Sequence, residues 1–106
     1  MSREILFLPV ALSLVFGAHC ARADMTDAQA GALAKAAYLH PRSKNGAAAR
    51  GKLVAAANAG VPVAQRWRGT LYRSNHHDTK ASYWDKKAAA QGDSTAKGDL
   101  AVLAGQ

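Results

Sequence analysis

Residues 81–92 read Ala-Ser-Tyr-Trp-Asp-Lys-Lys-Ala-Ala-Ala-Gln-Gly, and the end of this stretch repeats an upstream pattern at a fixed distance. Three small residues stand about 32 positions before three others, namely Ala57, Gly60 and Ala64 before Ala89, Gly92 and Ala96. A period of this size in alanine-rich sequence, interrupted by glycine, is typical of stacked helical hairpins. Proteins built this way usually bind other molecules, so the pattern predicts a binding protein.

Five helical segments can be placed along the chain from capping residues and helix breakers. We predict helices from about Thr26 to Tyr38, Ala47 to Asn58, Pro62 to Tyr72, Asp78 (as cap) to Gln91, and Asp93 or Ser94 to Leu103. Gly92 is placed as a left-handed residue after a helix end. No alternating pattern competes with these segments. The fold class expected is all-α, a short solenoid of antiparallel helical hairpins with about five helices and two and a half repeats.

The first 23 residues have the pattern of a secretory signal peptide. An apolar run from Ile5 to Phe16 follows Arg3, and Ala21-Arg22-Ala23 places small residues at the two positions that a signal peptidase reads. The run is shorter than the ~20 residues needed to cross a bilayer as a helix. We therefore expect cleavage after Ala23. The alternatives are a retained membrane anchor and a lipid-anchored start at Cys20.

The predicted mature domain, residues 24–106, is small and basic. It carries 12 Lys and Arg residues against 6 Asp residues, a net formal charge of about +6. The only glutamate and the only cysteine of the whole sequence, Glu4 and Cys20, both leave with the signal peptide, so no disulfide is available to the mature domain. The positive charge favours an acidic protein or an anionic polymer as partner, although solubility alone is an alternative explanation.

The stretch from Ala56 to Ala101 resembles the Sel-one-like repeat family, which is related to tetratricopeptide repeats. The positions that carry this resemblance are Ala57, Gly60, Ala64, Gly69, Tyr72, Ala81, Trp84, Ala88, Ala89, Gly92, Ala96 and Leu100. Two features depart from the family pattern: Arg68 stands where a leucine is usual, and the loop after Tyr72 is short. The resemblance implies a right-handed helical solenoid that acts as an adaptor or scaffold, and a packing role for Trp84.

Several side chains in the central hairpin are candidates for binding. Arg66 and Arg73 lie two turns apart on one predicted helix face, where they could hold a carboxylate or phosphate. Exposed aromatic rings could stack on a sugar or peptide. The full set of candidates, each of which could instead be a packing or solvated residue, is Arg66, Trp67, Arg68, Arg73, Lys80 and Tyr83.

Motifs of enzyme chemistry are absent from the sequence. It has no His-Glu-x-x-His pair and no nucleophile elbow, and only aspartates remain for a paired-carboxylate mechanism. The cluster His76-His77-Asp78 has metal-ligand residue types, but adjacent histidines usually diverge, so turn residues are the simpler explanation. We predict a non-enzymatic chain with no catalytic residue, no metal site and no cofactor.

The leading functional hypothesis is a periplasmic or secreted adaptor that binds another protein, for example as an immunity-type or secretion-accessory protein. The alternative is a basic module that binds anionic cell-wall or surface polymers. No nucleic-acid partner is expected because of the export signal, and no membrane span is expected after its removal. An alanine-rich core and few repeats also favour a partner or a second copy of the chain covering the last helix.

Overall fold

The structure is a computed structural model, and it describes residues 25–105. Five α-helices and no strands occur in this range. They are α1 Asp27–Leu39, α2 Lys44–Asn58, α3 Pro62–Ser74, α4 Asp78–Ala90 and α5 Ser94–Ala104. The all-α prediction is therefore confirmed. The signal-peptide prediction concerns residues 1–23, which lie outside the described residues.

The helices begin where side chains satisfy the free backbone N–H groups of the first turn. Thr26 and Gln29 form a capping box at α1: the Thr26 hydroxyl accepts from the Gln29 N–H at 3.1 Å, and the Gln29 side chain accepts from the Thr26 N–H at 2.8 Å. Asp93 caps α5 by accepting from the Ala96 N–H at 2.9 Å. These two starts agree with the sequence prediction.

Two predicted helix starts need correction. Helix α2 begins at Lys44 rather than Ala47, because the Ser43 hydroxyl accepts the Gly46 N–H at 3.0 Å and caps the helix three residues earlier. Asp78 is the first residue of α4 and not its cap. The capping position belongs to His77, whose side chain makes no capping hydrogen bond.

The ends of α2 and α4 have the same turn, about 32 residues apart. Gly60 has φ 97° and Gly92 has φ 98°, so both adopt the left-handed conformation that glycine tolerates. After α2, Val61 N–H donates to the Ala56 carbonyl at 3.1 Å. After α4, Asp93 N–H donates to the Ala88 carbonyl at 3.2 Å. The sequence period thus corresponds to a repeated hydrogen-bonded helix stop.

Consecutive helices pack against each other, and α1 also contacts α3. Close approach at the first hairpin requires Gly46, because a Cβ there would lie 1.7 Å from the His40 carbonyl oxygen. In the second hairpin the buried side chain of Gln65 donates to the Ala57 carbonyl at 3.2 Å and accepts from Gln91 at 2.8 Å. These bonds join α3 to the ends of α2 and α4.

The core is made of small side chains. Nine of the eleven buried apolar residues are alanines, and Leu53 is the largest apolar side chain that is fully buried. Trp67 and Trp84 are half-buried and pack against this core. Two other large aromatics, Tyr38 and Tyr83, are 54% and 55% exposed.

Over residues 25–105, none of the helices is both long enough and apolar enough to cross a membrane.

Candidate functional site

Arg66 lies at the centre of an ion-pair network that joins three helices. Its guanidinium pairs through Nη2 with Asp27 at the start of α1, and through Nε with Asp93 at the start of α5, at 3.1 Å. Trp67 donates its indole N–H to the same Asp27 carboxylate at 2.9 Å. Arg66 is therefore buried among carboxylates of its own chain rather than presented to a ligand.

The network shifts the ionisation of its members. Hydrogen bonds from Arg66 and then from Trp67 lower the pKa of Asp27 below its usual 3.8. Burial acts to lower the pKa of the Arg66 guanidinium, but its hydrogen bonds to Asp27 and Asp93 outweigh burial and raise that pKa. Both shifts favour the charged forms of Asp27 and Arg66, so the ion pair holds the start of α1 against α3.

A second ion pair lies two turns further along α3. Arg73 pairs with the fully buried Asp85 of α4, and Asp99 of α5 lies 3.8 Å from the same guanidinium nitrogen. Burial raises the pKa of Asp85 from 3.8 to about 6, against the opposing effect of Arg73. Gly69 packs directly on this carboxylate, because a Cβ at Gly69 would lie 2.5 Å from Asp85 Oδ1. The predicted shared face of Arg66 and Arg73 is thus occupied by aspartates of this chain.

These two arginines leave the outer surface strongly positive. They pair with four of the five aspartates in residues 25–105, all except Asp78. Ten cations in this range make no ion pair there, and nine of them are exposed: Lys35, Arg42, Lys44, Arg50, Lys52, Lys80, Lys86, Lys87 and Lys97, with Arg68 half-buried. Most of the negative charge is therefore neutralised by Arg66 and Arg73, while most of the positive charge lies unpaired on the surface.

Arg68 belongs to a stack of cations and aromatic rings on α3 and α4. Its guanidinium lies 4.6 Å from the ring centroid of Trp84 and 5.6 Å from that of Tyr72, and it donates to the Tyr72 hydroxyl at 3.3 Å. The Lys80 ammonium nitrogen lies 5.5 Å from the ring centroid of Tyr72. Such contacts fix the arginine in place without neutralising its charge.

A pocket of about 240 Å³ opens between α1, α2 and α3 beside this stack. Its apolar walls include Leu53, Val54 and Leu71, and two cations, Arg50 and Arg68, also line it. Polar atoms are contributed by three further lining residues, Tyr38, Tyr72 and Asn75. A ligand there would meet an apolar interior and two positive charges that have no carboxylate partner within residues 25–105.

Tyr83 lies apart from that pocket, on a wider groove between α4 and α5. Its ring meets Trp84 edge-on at a centroid distance of 5.3 Å, and the Lys87 ammonium lies 5.2 Å from its centroid. Lys86 and Leu100 line the same groove. The six residues predicted for binding therefore do not form one site: they divide between internal ion pairs, the aromatic stack and this groove.

The histidine cluster lies at the turn between α3 and α4. His76 has φ 62°, and the His77 ring meets Tyr72 edge-on at 6.3 Å. Within residues 25–105, no group of three or more His, Cys, Asp or Glu side chains is arranged to hold a metal ion.

Sequence reasoning did not identify two parts of these sites. The aspartate partners of Arg66 are 27 and 39 positions away along the chain, so no local spacing indicates them. Arg50 and Tyr38 were missed as pocket residues because they belong to the segment where the repeat pattern is weak. The one available signal was the scarcity of acidic residues, which makes each aspartate a candidate partner for a central arginine.

Comparisons with protein-family models, with curated proteins and with solved structures each return no significant match.

Proposed function

We propose that this chain is an exported helical-repeat adaptor that binds another protein through its cationic surface. The proposal includes a signal peptide at 1–23, a domain of the Sel-one-like repeat family at 24–106, and a periplasmic or secreted location. An immunity-type or secretion-accessory role is the narrower form, in which the partner is one dedicated acidic protein.

The observation that carries the proposal is the excess of unpaired positive charge on the surface of the molecule. Arg66 and Arg73 pair with four aspartates, of which only Asp85 is fully buried, and nine exposed cations have no ion-pair partner within residues 25–105. Surfaces of one sign attract partners of the opposite sign and speed their association. Exposed aromatic residues beside these cations, such as Tyr83 next to Lys87, are of the kind enriched at protein interfaces.

The repeated turn supports the repeat-family part of the proposal. The hydrogen bonds around Gly60 and Gly92 involve the same positions of the repeat, and Ala64 and Ala96 are both fully buried after these turns. Stacked hairpins of this kind present extended surfaces that suit protein binding.

Site-specific photocrosslinking in cells that express the chain tests the adaptor proposal. A photoreactive residue replaces Tyr83, and in a matched variant it replaces Ala48, an exposed residue of α2. We expect one discrete protein adduct of defined mass from position 83 and a weaker or absent adduct from position 48. Equal adducts at both positions, or none at either, would contradict an adaptor that uses the α4–α5 surface.

A basic module for anionic polymers is the second candidate, and the spread of cations favours it. Unpaired cations occur on every helix, from Lys35 on α1 to Lys97 on α5. Polymer binding would weaken steeply with added salt and would lack a fixed stoichiometry. Titration of the chain with an anionic polymer such as heparin, at low and at physiological salt, distinguishes this behaviour from a one-to-one complex.

A further inference from the structure

We propose that the pocket between α1, α2 and α3 binds the C-terminal residue of a peptide. This residue has a large apolar side chain, and its free carboxylate is the terminal carboxylate of the peptide backbone. The inference rests on the proposed protein-binding function and names the part of the partner that is recognised. The proposal rests on the composition of the pocket. Its walls are apolar, and it is also lined by two arginines, Arg50 and Arg68, that have no carboxylate partner in residues 25–105.

The volume of the pocket limits the size of its occupant. At about 240 Å³ it is smaller than the ~300–1,000 Å³ pockets that hold drug-sized ligands. A single amino-acid residue is of the right size, and the partly exposed Val54 and Leu71 provide an apolar surface for its side chain. Burial of that side chain supplies affinity in proportion to the apolar area removed from water.

The two arginines determine the charge of the occupant. Arginine holds a carboxylate through paired N–H donors in a fixed plane, which gives geometric specificity as well as affinity. Arg68 is already oriented by its contacts with Trp84 and the Tyr72 hydroxyl, so little conformational freedom is lost when it binds. Arg50 is exposed on α2 and lines the same pocket.

Charge complementarity also disfavours a second copy of this chain as the occupant. Of the five aspartates in residues 25–105, four are paired with Arg66 and Arg73, which leaves only Asp78 unpaired. An approaching copy would present mostly cations to Arg50 and Arg68, which is repulsive. A peptide terminus from an acidic partner satisfies both arginines.

Nuclear magnetic resonance titration of the full-length ¹⁵N-labelled chain with N-acetyl-leucine tests the proposal, with N-acetyl-leucinamide as the matched neutral probe. We expect saturable shifts of backbone amides around the pocket, such as those of Val54 and Leu71, at millimolar acid. The amide should bind at least tenfold more weakly, because it offers no charge-assisted hydrogen bond to arginine.

Three variants separate a built site from general attraction of anions. Arg50→Gln and Arg68→Gln should each weaken N-acetyl-leucine binding about tenfold. Lys86→Gln, which removes the same charge from the α4–α5 groove, should leave it unchanged. Arg50 is exposed, so the Arg50→Gln variant keeps the test valid if Arg68→Gln unfolds.

Three results would overturn the proposal: no saturable shifts, equal affinity for acid and amide, or equal weakening by Lys86→Gln and Arg50→Gln. If the titration shows no specific binding but photocrosslinking gives a discrete adduct at position 83, the adaptor function stands and only the binding of a peptide terminus in this pocket is refuted. Peptide binding without any adduct would instead count against the α4–α5 surface.

Discussion

Asp85 is the residue at which the internal charge network is least favourable. Its side chain is fully buried, and Oδ1 accepts no hydrogen bond from residues 25–105. Gly69 lies against that oxygen, because a Cβ there would come within 2.5 Å of it. Burial without full hydrogen bonding disfavours the charged carboxylate, which is why the pKa rises to about 6 in spite of Arg73.

Because the pKa of Asp85 is raised in the folded chain, we predict that the free energy of unfolding falls as pH rises. Its pKa is about 6 in the folded chain and 3.8 is its ordinary value, so the folded state binds the proton more tightly. The stabilising contribution is complete below pH ~4 and is lost as pH rises through ~6. We expect the free energy of unfolding to be about 1 kcal/mol lower at pH ~7.5 than at pH ~5 from this group alone.

Urea denaturation of wild type and of Asp85→Asn at the two pH values measures this contribution. The asparagine keeps the size of the side chain but cannot ionise, so the difference between the two proteins should change by about 1 kcal/mol across the interval. Asp78→Asn, an exposed control on the same helix, should track wild type. Parallel pH profiles for wild type and Asp85→Asn would refute the assignment.

At the level of secondary-structure elements, one turn recurs at half the repeat length. Gly60, His76 and Gly92 are 16 positions apart, and all three have positive φ. His77 N–H donates to the Tyr72 carbonyl at 2.9 Å, the same bond that Val61 and Asp93 make in the other two turns. The central turn therefore keeps the hydrogen bond of the other two turns although His76 stands in place of glycine.

Substitutions at Gly92 and Gly98 can measure the effect of backbone conformation on stability separately from the effect of packing. A Cβ at Gly92 or at Gly98 would meet nothing within 4 Å, but only Gly92 has positive φ. We expect Gly92→Ala to lower stability by about 1–2 kcal/mol, because an L-residue resists the left-handed conformation. Gly98→Ala should raise stability by up to about 1 kcal/mol, because alanine favours the helix interior. Thermal unfolding followed by circular dichroism compares them, and shifts of the same sign would contradict this interpretation.

The elements could be predicted from sequence because their boundaries are set locally. Thr26 and Asp93 cap helices through bonds to residues three positions away, and glycine marks the helix ends. Where prediction failed, the competing choice was also local: Ser43 caps α2 ahead of the predicted Ala47, and His77 takes the position expected for Asp78. The alanine repeat predicted that the helices pack as hairpins, but it did not predict that Tyr38 and Tyr83 would remain exposed.

Across the whole molecule, sequence indicated the face of α3 that carries the arginines but not what they contact. Arg66 and Arg73 share a face by helical spacing alone, yet their partners come from α1, α4 and α5. Such pairs depend on how the hairpins stack, which local patterns do not encode. The pocket beside Arg68 was missed for the same reason, since its walls come from three helices.

Because the buried core is mostly alanine, polar contacts between helices should carry an unusual share of the stability. Arg66 alone connects the starts of α1 and α5 to the middle of the chain. Arg66→Gln leaves the Asp93 carboxylate, whose side chain is 9% exposed, without its counter-ion. We expect a loss of about 2 kcal/mol, less than the ~3–5 kcal/mol of a fully buried pair, because Asp27 is exposed and Asp93 keeps its bond to Ala96.

Arg42→Gln is the matched control for this change, since Arg42 is exposed and makes no ion pair within residues 25–105. Its effect on urea denaturation should be within about 0.5 kcal/mol of zero. If the loss in Arg66→Gln were no larger than in Arg42→Gln, the ion-pair network would not hold the hairpins together. The alanine packing of α1 against α3 would then have to account for their association by itself.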